Sequence, residues 1–131
     1  MPRARRQRPA LTVTVEEFSG LVRRALDGLP RDYARIMKNV AVMVEEEPSR
    51  DVLDELGLES EDDLLGLYSG PAVDDETFFD PGGRLPARIA IYRGPILRFC
   101  RTADEVVKEV RDTVVHEIGH YFGLDDDEMP Y

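Results

Sequence analysis

The sequence predicts one domain in which α-helices and β-strands build a common core. Its 131 residues are enough for one modest core but not for two. Apolar residues recur at helical spacing near both ends of the chain, and β-branched apolar runs lie between them. Residues 1–10 form a separate basic arm, which we expect to be disordered, so the predicted domain spans 11–131.

The composition is typical of a soluble globular protein. Hydrophobic residues make up 42% of the chain and charged residues 34%. No segment approaches the roughly 18 to 20 apolar residues that span a bilayer, and the basic N-terminus lacks the hydrophobic run of a secretory signal. The lone Cys100 cannot form an internal disulfide, so we expect a cytoplasmic protein. Cys100 is expected to be a small buried residue, with a redox or metal-masking thiol as the alternative.

The charge is divided unevenly along the chain. The net charge is −10, but four arginines within the first eight residues contribute +4 and leave −14 for the remainder. A basic arm can bind phosphates, whereas an acidic body repels nucleic acid. We therefore expect a solvated arm and no nucleic-acid partner. The acidic runs 45–47 and 61–63 are expected to be solvated charges in loops or at helix starts.

The first half of the chain predicts a helix, a strand and a second helix. Thr14 and Glu17 form a capping-box pattern ahead of an amphipathic helix that ends at Pro30. The run "NVAVMVEEEP", 39–48, suits a central strand buried on both faces. Residues 49–57 predict a short helix with a glycine as its stop.

The middle of the chain predicts extended structure. The glycine-punctuated run "LLGLYSGPAV" from Leu64 suits a short edge strand, and 78–86 are predicted as a loop. Residues 87–92 predict a strand, which turns at Gly94 and Pro95 into another extended piece.

The last element is predicted as an amphipathic helix of about twenty residues that ends at Gly123. Thr102 and Glu105 form its capping-box pattern. Its apolar positions, three and four residues apart, are Ala103, Val106, Val107, Val110, Val114, Ile118, Tyr121 and Phe122.

Both histidines of the chain lie on this helix. His116 and His120 project about 40° apart from one flank beside the apolar stripe, so both imidazoles can reach one metal ion. Glu117 would then lie near the open coordination position. Gly123 permits a sharp turn that can bring Asp126 under the metal. The alternative for this H-E-x-x-H-x-x-G-x-x-D pattern is a solvated polar helix flank followed by an acidic tail.

These residues carry a resemblance. "HEIGHYFGLDD" resembles the extended zinc signature of the zincin metallopeptidases, with an aspartate where astacin- and matrixin-like enzymes have a third histidine. Together with "NVAVMVEEEPS", "LLGLYSG" and "RIAIYRGPILRF", it resembles the short bacterial minimal-zincin family of zinc metallopeptidases. The resemblance covers residues 11–131 and leaves the basic arm outside.

The resemblance implies an α+β fold in which a small twisted mixed sheet packs against an N-terminal helix and the C-terminal active-site helix. It implies that His116, His120 and Asp126 bind Zn²⁺ and that Glu117 is the catalytic glutamate. The substrate would be a peptide or protein. As a departure from larger zincins, only five residues follow Asp126, which leaves no room for a methionine turn or a large C-terminal subdomain and implies a shallow cleft.

Several further residues have open roles. Asp125 and Asp127 are expected to be exposed, or to orient a histidine from outside the metal's coordination sphere. The edge segment 67–70 is a candidate for pairing with an extended peptide, by family analogy. Tyrosines that could stabilise an oxyanion are Tyr68, Tyr92 and Tyr131, although packing is the expected role of each.

Two classes of function remain open. The first is a zinc-dependent peptidase, and the second is a non-catalytic module in which zinc stabilises the fold. Glu117 favours catalysis, because a structural zinc site needs no general base. The short chain favours the structural alternative.

Overall fold

A computed structural model describes residues 11–70 and 87–121, with His120 and Tyr121 described by their backbone alone. These residues form an α+β fold, as predicted, and the basic arm 1–10 lies outside them. The helices are α1 (Val15–Asp27), α2 (Arg31–Met37), α3 (Arg50–Leu56), α4 (Arg93–Phe99) and α5 (Ala103–Tyr121), with a short 3₁₀ helix at Glu61–Asp63. The strands are β1 (Val40–Glu45), β2 (Gly66–Ser69) and β3 (Ala87–Tyr92).

The sheet is mixed and has the strand order β1-β3-β2 among the described strands. β3 lies in the centre, parallel to β1 and antiparallel to β2. The predicted edge strand within "LLGLYSGPAV" is therefore β2. The prediction that 39–48 contain the central strand is wrong: β1 pairs with β3 alone among the described strands, and its side chains alternate, with Val40 buried and Met43 exposed. This period of two fits a strand that is covered on one face.

The core lies between the inner face of the sheet and the helices α1 and α5. Phe18 of α1, Ile89 and Ile91 of β3, and Val114 and Ile118 of α5 are completely buried. Complete burial of an apolar side chain of this size contributes about 1.5 to 3 kcal/mol. The predicted packing of a small sheet against an N-terminal and a C-terminal helix is thus confirmed. No helix among the described residues is long and apolar enough to cross a membrane.

The predicted capping residues begin their helices. Thr14 Oγ1 accepts a hydrogen bond from Glu17 N at 3.0 Å, and Glu17 Oε1 accepts one from Thr14 N at 2.9 Å, which completes the capping box of α1. Before α5, Thr102 Oγ1 accepts from Glu105 N at 3.1 Å, but Glu105 Oε1 accepts from Arg101 N at 2.7 Å. In this second capping box, the hydrogen bond to the glutamate side chain thus comes from the N–H group of Arg101, one residue before the predicted Thr102.

The short helix α3 also has its predicted boundaries. Ser49 caps its first turn by accepting a hydrogen bond from Val52 N. Gly57, with φ at 72°, ends it in the left-handed conformation that glycine adopts without steric cost. The helix α2 was not predicted, because its seven residues are too few to establish a helical period.

The prediction of an extended piece after Gly94 and Pro95 is wrong, because residues 93–99 form α4. Pro95 lies in the first turn of α4, where an N–H group has no partner within the helix and proline is tolerated. Gly94 N donates to Glu46 O at 2.9 Å, and a Cβ atom at position 94 would lie equally close to this oxygen. The Gly-Pro pair therefore begins a helix that lies tightly against the loop after β1.

The acidic runs are exposed, as expected, and some of their members also pair with α4. Glu46 accepts a hydrogen bond from Arg93 at 2.7 Å. Arg98 donates two bonds to Glu47, at 2.8 and 2.9 Å, and one to Asp62 at 2.6 Å. These contacts connect the end of β1 and the 3₁₀ helix to α4. The hydrogen bond with Glu47 is the largest of the contacts that raise the pKa of Arg98.

Cys100 follows α4 and is buried, with 6% of its surface exposed, as predicted for a small buried residue. Burial, assisted by the carboxylates of Glu109 and Glu105, raises the pKa of its thiol to about 11. The thiol therefore stays protonated at neutral pH.

This raised pKa of Cys100 predicts a pH dependence of stability. Below the pKa of an unfolded cysteine, about 8.5, both states hold the proton and the thiol has no effect. Between pH 8.5 and 11, the thiol of the unfolded chain loses its proton while the thiol of the folded protein keeps it. By pH 11 the free energy of unfolding should fall by about 2 to 3 kcal/mol more in the parent than in Cys100→Ala. Urea unfolding of both proteins between pH 8 and 11 measures this difference, and parallel curves would contradict it.

Candidate metal centre

The site is built on the contact between α5 and the edge strand β2. Gly66 of β2 is buried, and a Cβ atom at this position would lie 2.6 Å from Thr113 Cγ2 and 3.0 Å from Ala90 O. Both distances are shorter than an ordinary contact of a carbon atom. The missing side chain of Gly66 therefore allows α5 to approach the strand.

One turn further along α5, the side chain of Glu117 contacts the same strand. Tyr68 N donates a hydrogen bond of 2.9 Å to Glu117 Oε1 in a partly buried position. One helical turn from Thr113 to Glu117 rises about 6 Å, and two strand residues from Gly66 to Tyr68 span about 7 Å. The helix and the strand therefore run side by side in the same direction.

The histidines occupy adjacent turns of this helix. α5 is continuous from Ala103 to Tyr121, so positions 116 and 120 lie one turn apart on an unbroken helix. His116 is half-buried, which agrees with a flank beside the apolar stripe. The side chain of His120 and the predicted residues Gly123 and Asp126 lie outside the described part of the chain, as do Asp125 and Asp127.

The structure describes the side chains of two residues of the predicted site. Glu117 contacts the edge strand β2 through Tyr68 N, and His116 precedes it on α5. Within 11–70 and 87–121, no three histidine, cysteine or acidic side chains come together to hold a metal ion. The imidazole of His116 is the described member of the predicted donor set, and imidazole is a common ligand of zinc. The donor chemistry of His116, His120 and Asp126 fits zinc.

Other carboxylates occupy the same helix upstream of His116. Glu109 is half-buried, and burial raises the pKa of its carboxyl group, against the opposing effect of a hydrogen bond from Thr113. Asp112 pairs with Lys108 Nζ at 2.8 Å. These acidic groups, together with Gly66 and Thr113, were not predicted from the sequence, because their importance depends on which strand lies beside α5.

The candidate tyrosines are packed into the protein. Tyr68 is 2% exposed, and its main-chain N–H group donates to Glu117. Tyr92 is also buried, and burial raises the pKa of its phenol, with smaller contributions from the carboxylates of Glu45 and Glu117. Both observations agree with the packing role that was expected. Tyr131 lies outside the described residues.

A mixed α+β fold whose last described helix carries H-E-x-x-H beside the edge of the described sheet is typical of a zincin-like protein. A comparison with protein families matches residues 37–131 to the zincin-like metallopeptidases. The chain therefore belongs to the zincin-like metallopeptidase family, which confirms the resemblance inferred from the sequence.

The comparisons with individual proteins give a structural relative. A conserved hypothetical protein from Thermus thermophilus is 31% identical to this chain, with a TM-score of 0.52. The similarity covers 84% of this chain and 94% of that one. A search of curated proteins gave no match. The relative thus supports the fold and carries no named activity.

The contact at Gly66 predicts a specific loss of stability. Gly66→Ala should lower the free energy of unfolding by about 1 to 3 kcal/mol, because the added methyl group overlaps Thr113 Cγ2. Adding Thr113→Ser to the Gly66→Ala protein should restore part of this loss, because serine lacks the Cγ2 methyl group and keeps the hydroxyl group. Gly20→Ala in α1 is the matched control, because nothing lies within 4 Å of the added atom. Urea unfolding of the parent, Gly66→Ala, the Gly66→Ala/Thr113→Ser double variant and Gly20→Ala measures these free energies. Equal losses of stability from Gly66→Ala and Gly20→Ala would contradict the contact.

Proposed function

We propose that this protein is a zinc-dependent peptidase. The family supports this class of function. The observation that supports it most is the hydrogen bond between Tyr68 N and Glu117 Oε1, at 2.9 Å. Through this bond the glutamate of the H-E-x-x-H motif lies at the edge of a strand, where an extended peptide can pair.

In this proposal His116, His120 and Asp126 hold the zinc ion. Bound zinc would supply Lewis-acid chemistry, acidifying a water molecule and polarising the carbonyl group of a peptide bond. The helix contributes by fixing two imidazoles one turn apart, so that little order has to be gained when the metal binds.

Glu117 is the proposed general base. Its carboxylate takes a proton from the attacking water and passes it to the nitrogen of the leaving amine. Its half-buried position beside Tyr68 limits the directions in which the carboxylate can point. The segment 67–70 of the edge strand would align the substrate backbone, and the compartment proposed for this reaction is the cytoplasm.

One observation favours the alternative, a non-catalytic zinc module. Glu117 connects α5 to the backbone of β2, so a glutamate at this position also has a structural contact. Zinc bound by the same ligands would then tie the chain after α5 to the helix and stabilise the fold. Glu117→Gln distinguishes the two roles, because it removes the base and keeps an acceptor for Tyr68 N.

The first test concerns the metal. The purified protein should retain one zinc ion per chain after dialysis without chelator, and a ratio well below one that added zinc does not restore would reject the site. Asp126→Ala should weaken zinc binding far more than Asp125→Ala or Asp127→Ala, because loss of a group outside the coordination sphere costs about 10- to 100-fold. Chelator competition measures the three affinities. Equal or greater losses at 125 or 127 would make the assignment of Asp126 wrong.

The second test concerns Glu117. Glu117→Gln should keep zinc and stability, because its amide oxygen can still accept from Tyr68 N. Its hydrolysis of an unbiased peptide library should fall by at least about 100-fold, because an amide cannot accept the proton of the water. Unchanged hydrolysis by the zinc-loaded variant would contradict this role. Absence of hydrolysis by the parent protein would favour the structural alternative.

A further inference from the structure

Successive residues of β2 direct their main-chain N–H and C=O groups to opposite sides of the strand. Leu67 pairs with Ala90 of β3, and Leu65 O accepts a hydrogen bond from Tyr92 N at 2.9 Å. In an antiparallel pair, alternate residues direct their N–H and C=O groups towards the neighbouring strand. The N–H group of Tyr68, between these positions, therefore faces away from β3. Its donation to Glu117 Oε1 agrees with this direction.

The same N–H group is one that an extended peptide needs when it pairs with this side of β2. Strand addition uses the main-chain N–H and C=O groups that face away from the existing sheet. A single N–H group makes one strong, well-aligned hydrogen bond. A peptide carbonyl oxygen and Glu117 Oε1 therefore compete for Tyr68 N.

We propose that the N–H group of Tyr68 is a latch that holds Glu117 until an extended peptide takes its place. In the peptide-free protein the carboxylate is bound at the strand edge. Pairing of a peptide with β2 releases Oε1 from this bond, so that the carboxylate can reorient towards the reacting water when a substrate backbone is present. This mechanism rests on the proposed function, in which Glu117 is the general base.

The side chain of Glu117 has the length that this contact needs. The side chain extends from α5 to β2, where Oε1 lies 2.9 Å from Tyr68 N in a partly buried position. Aspartate keeps the negative charge but is one methylene group shorter, whereas glutamine keeps the length and an acceptor oxygen. These two substitutions therefore separate the reach of the side chain from its charge.

Hydrogen exchange tests the latch without catalysis. Labelling the five tyrosines of the full-length protein with ¹⁵N gives a few amide signals, and Tyr68→Phe identifies the signal of residue 68. We expect its exchange to become about 10- to 100-fold faster in Glu117→Asp and Glu117→Ala, and to stay close to the parent rate in Glu117→Gln. Unchanged signals of the other tyrosines control for loss of fold. Equal protection of Tyr68 in the parent, Asp and Ala proteins would overturn the latch.

Peptide binding tests the competition. Glu117→Gln and Glu117→Ala both lack the base, so neither zinc-loaded variant should cleave a mixture of capped random hexapeptides. We expect the mixture to bind about 10-fold more tightly to Glu117→Ala, in which residue 117 no longer competes for Tyr68 N. Bound peptides are identified by mass spectrometry. Equal or weaker binding by Glu117→Ala, including no binding by either variant, would overturn the competition.

The latch and the proposed function can fail separately. Hydrolysis by the parent that depends on Glu117, together with equal exchange rates at Tyr68, would leave the peptidase and reject the latch. Differences in exchange and in peptide binding without any hydrolysis by the parent would retain the competition at β2 and reject catalysis.

Discussion

The close packing of α5 against β2 is the contact on which the candidate site depends. It is possible because Gly66 has no side chain where Thr113 approaches, and because the apolar stripe of α5 is completely buried at Val114 and Ile118. With the helix fixed in this way, the next turn brings Glu117 to the main chain of Tyr68. The position of the glutamate is thus set by core packing, and not by a loop.

A glutamate in this position has two demands on it. It bonds to the main chain of β2, and in the proposed function it also acts as a base that has to be available to water. Under that proposal the two demands are compatible, because the N–H group that holds the carboxylate lies on the side of β2 where a substrate backbone would pair.

Local signals were sufficient to predict the long helices and their beginnings. Thr14 and Glu17 begin α1 through a pattern that spans four residues, and the buried stripe of α5 repeats from Val106 to Ile118, over about three turns. The flank that carries His116 follows from the same period. By contrast, the central place of β3 and the contact of Glu117 with Tyr68, 49 residues apart, depend on which elements are neighbours in space. No local pattern contains this information. The helix after β3 was predicted as extended because Gly94 and Pro95 were interpreted as a turn, although proline is equally suited to the first turn of a helix.

The edge strand is also held at its beginning by charge. Asp62 lies four residues before Gly66 and accepts a hydrogen bond from Arg98, which also donates to Glu47. These bonds hold the segment that leads into β2. All three side chains are substantially exposed, so their attraction is open to screening by dissolved ions, with a range of about 8 Å at physiological ionic strength and about 3 Å in 1 M salt. The buried contact at Gly66 has no such sensitivity. Among the described contacts, dissolved salt should therefore weaken the ion pairs before Gly66, while the buried packing of α5 against Gly66 persists.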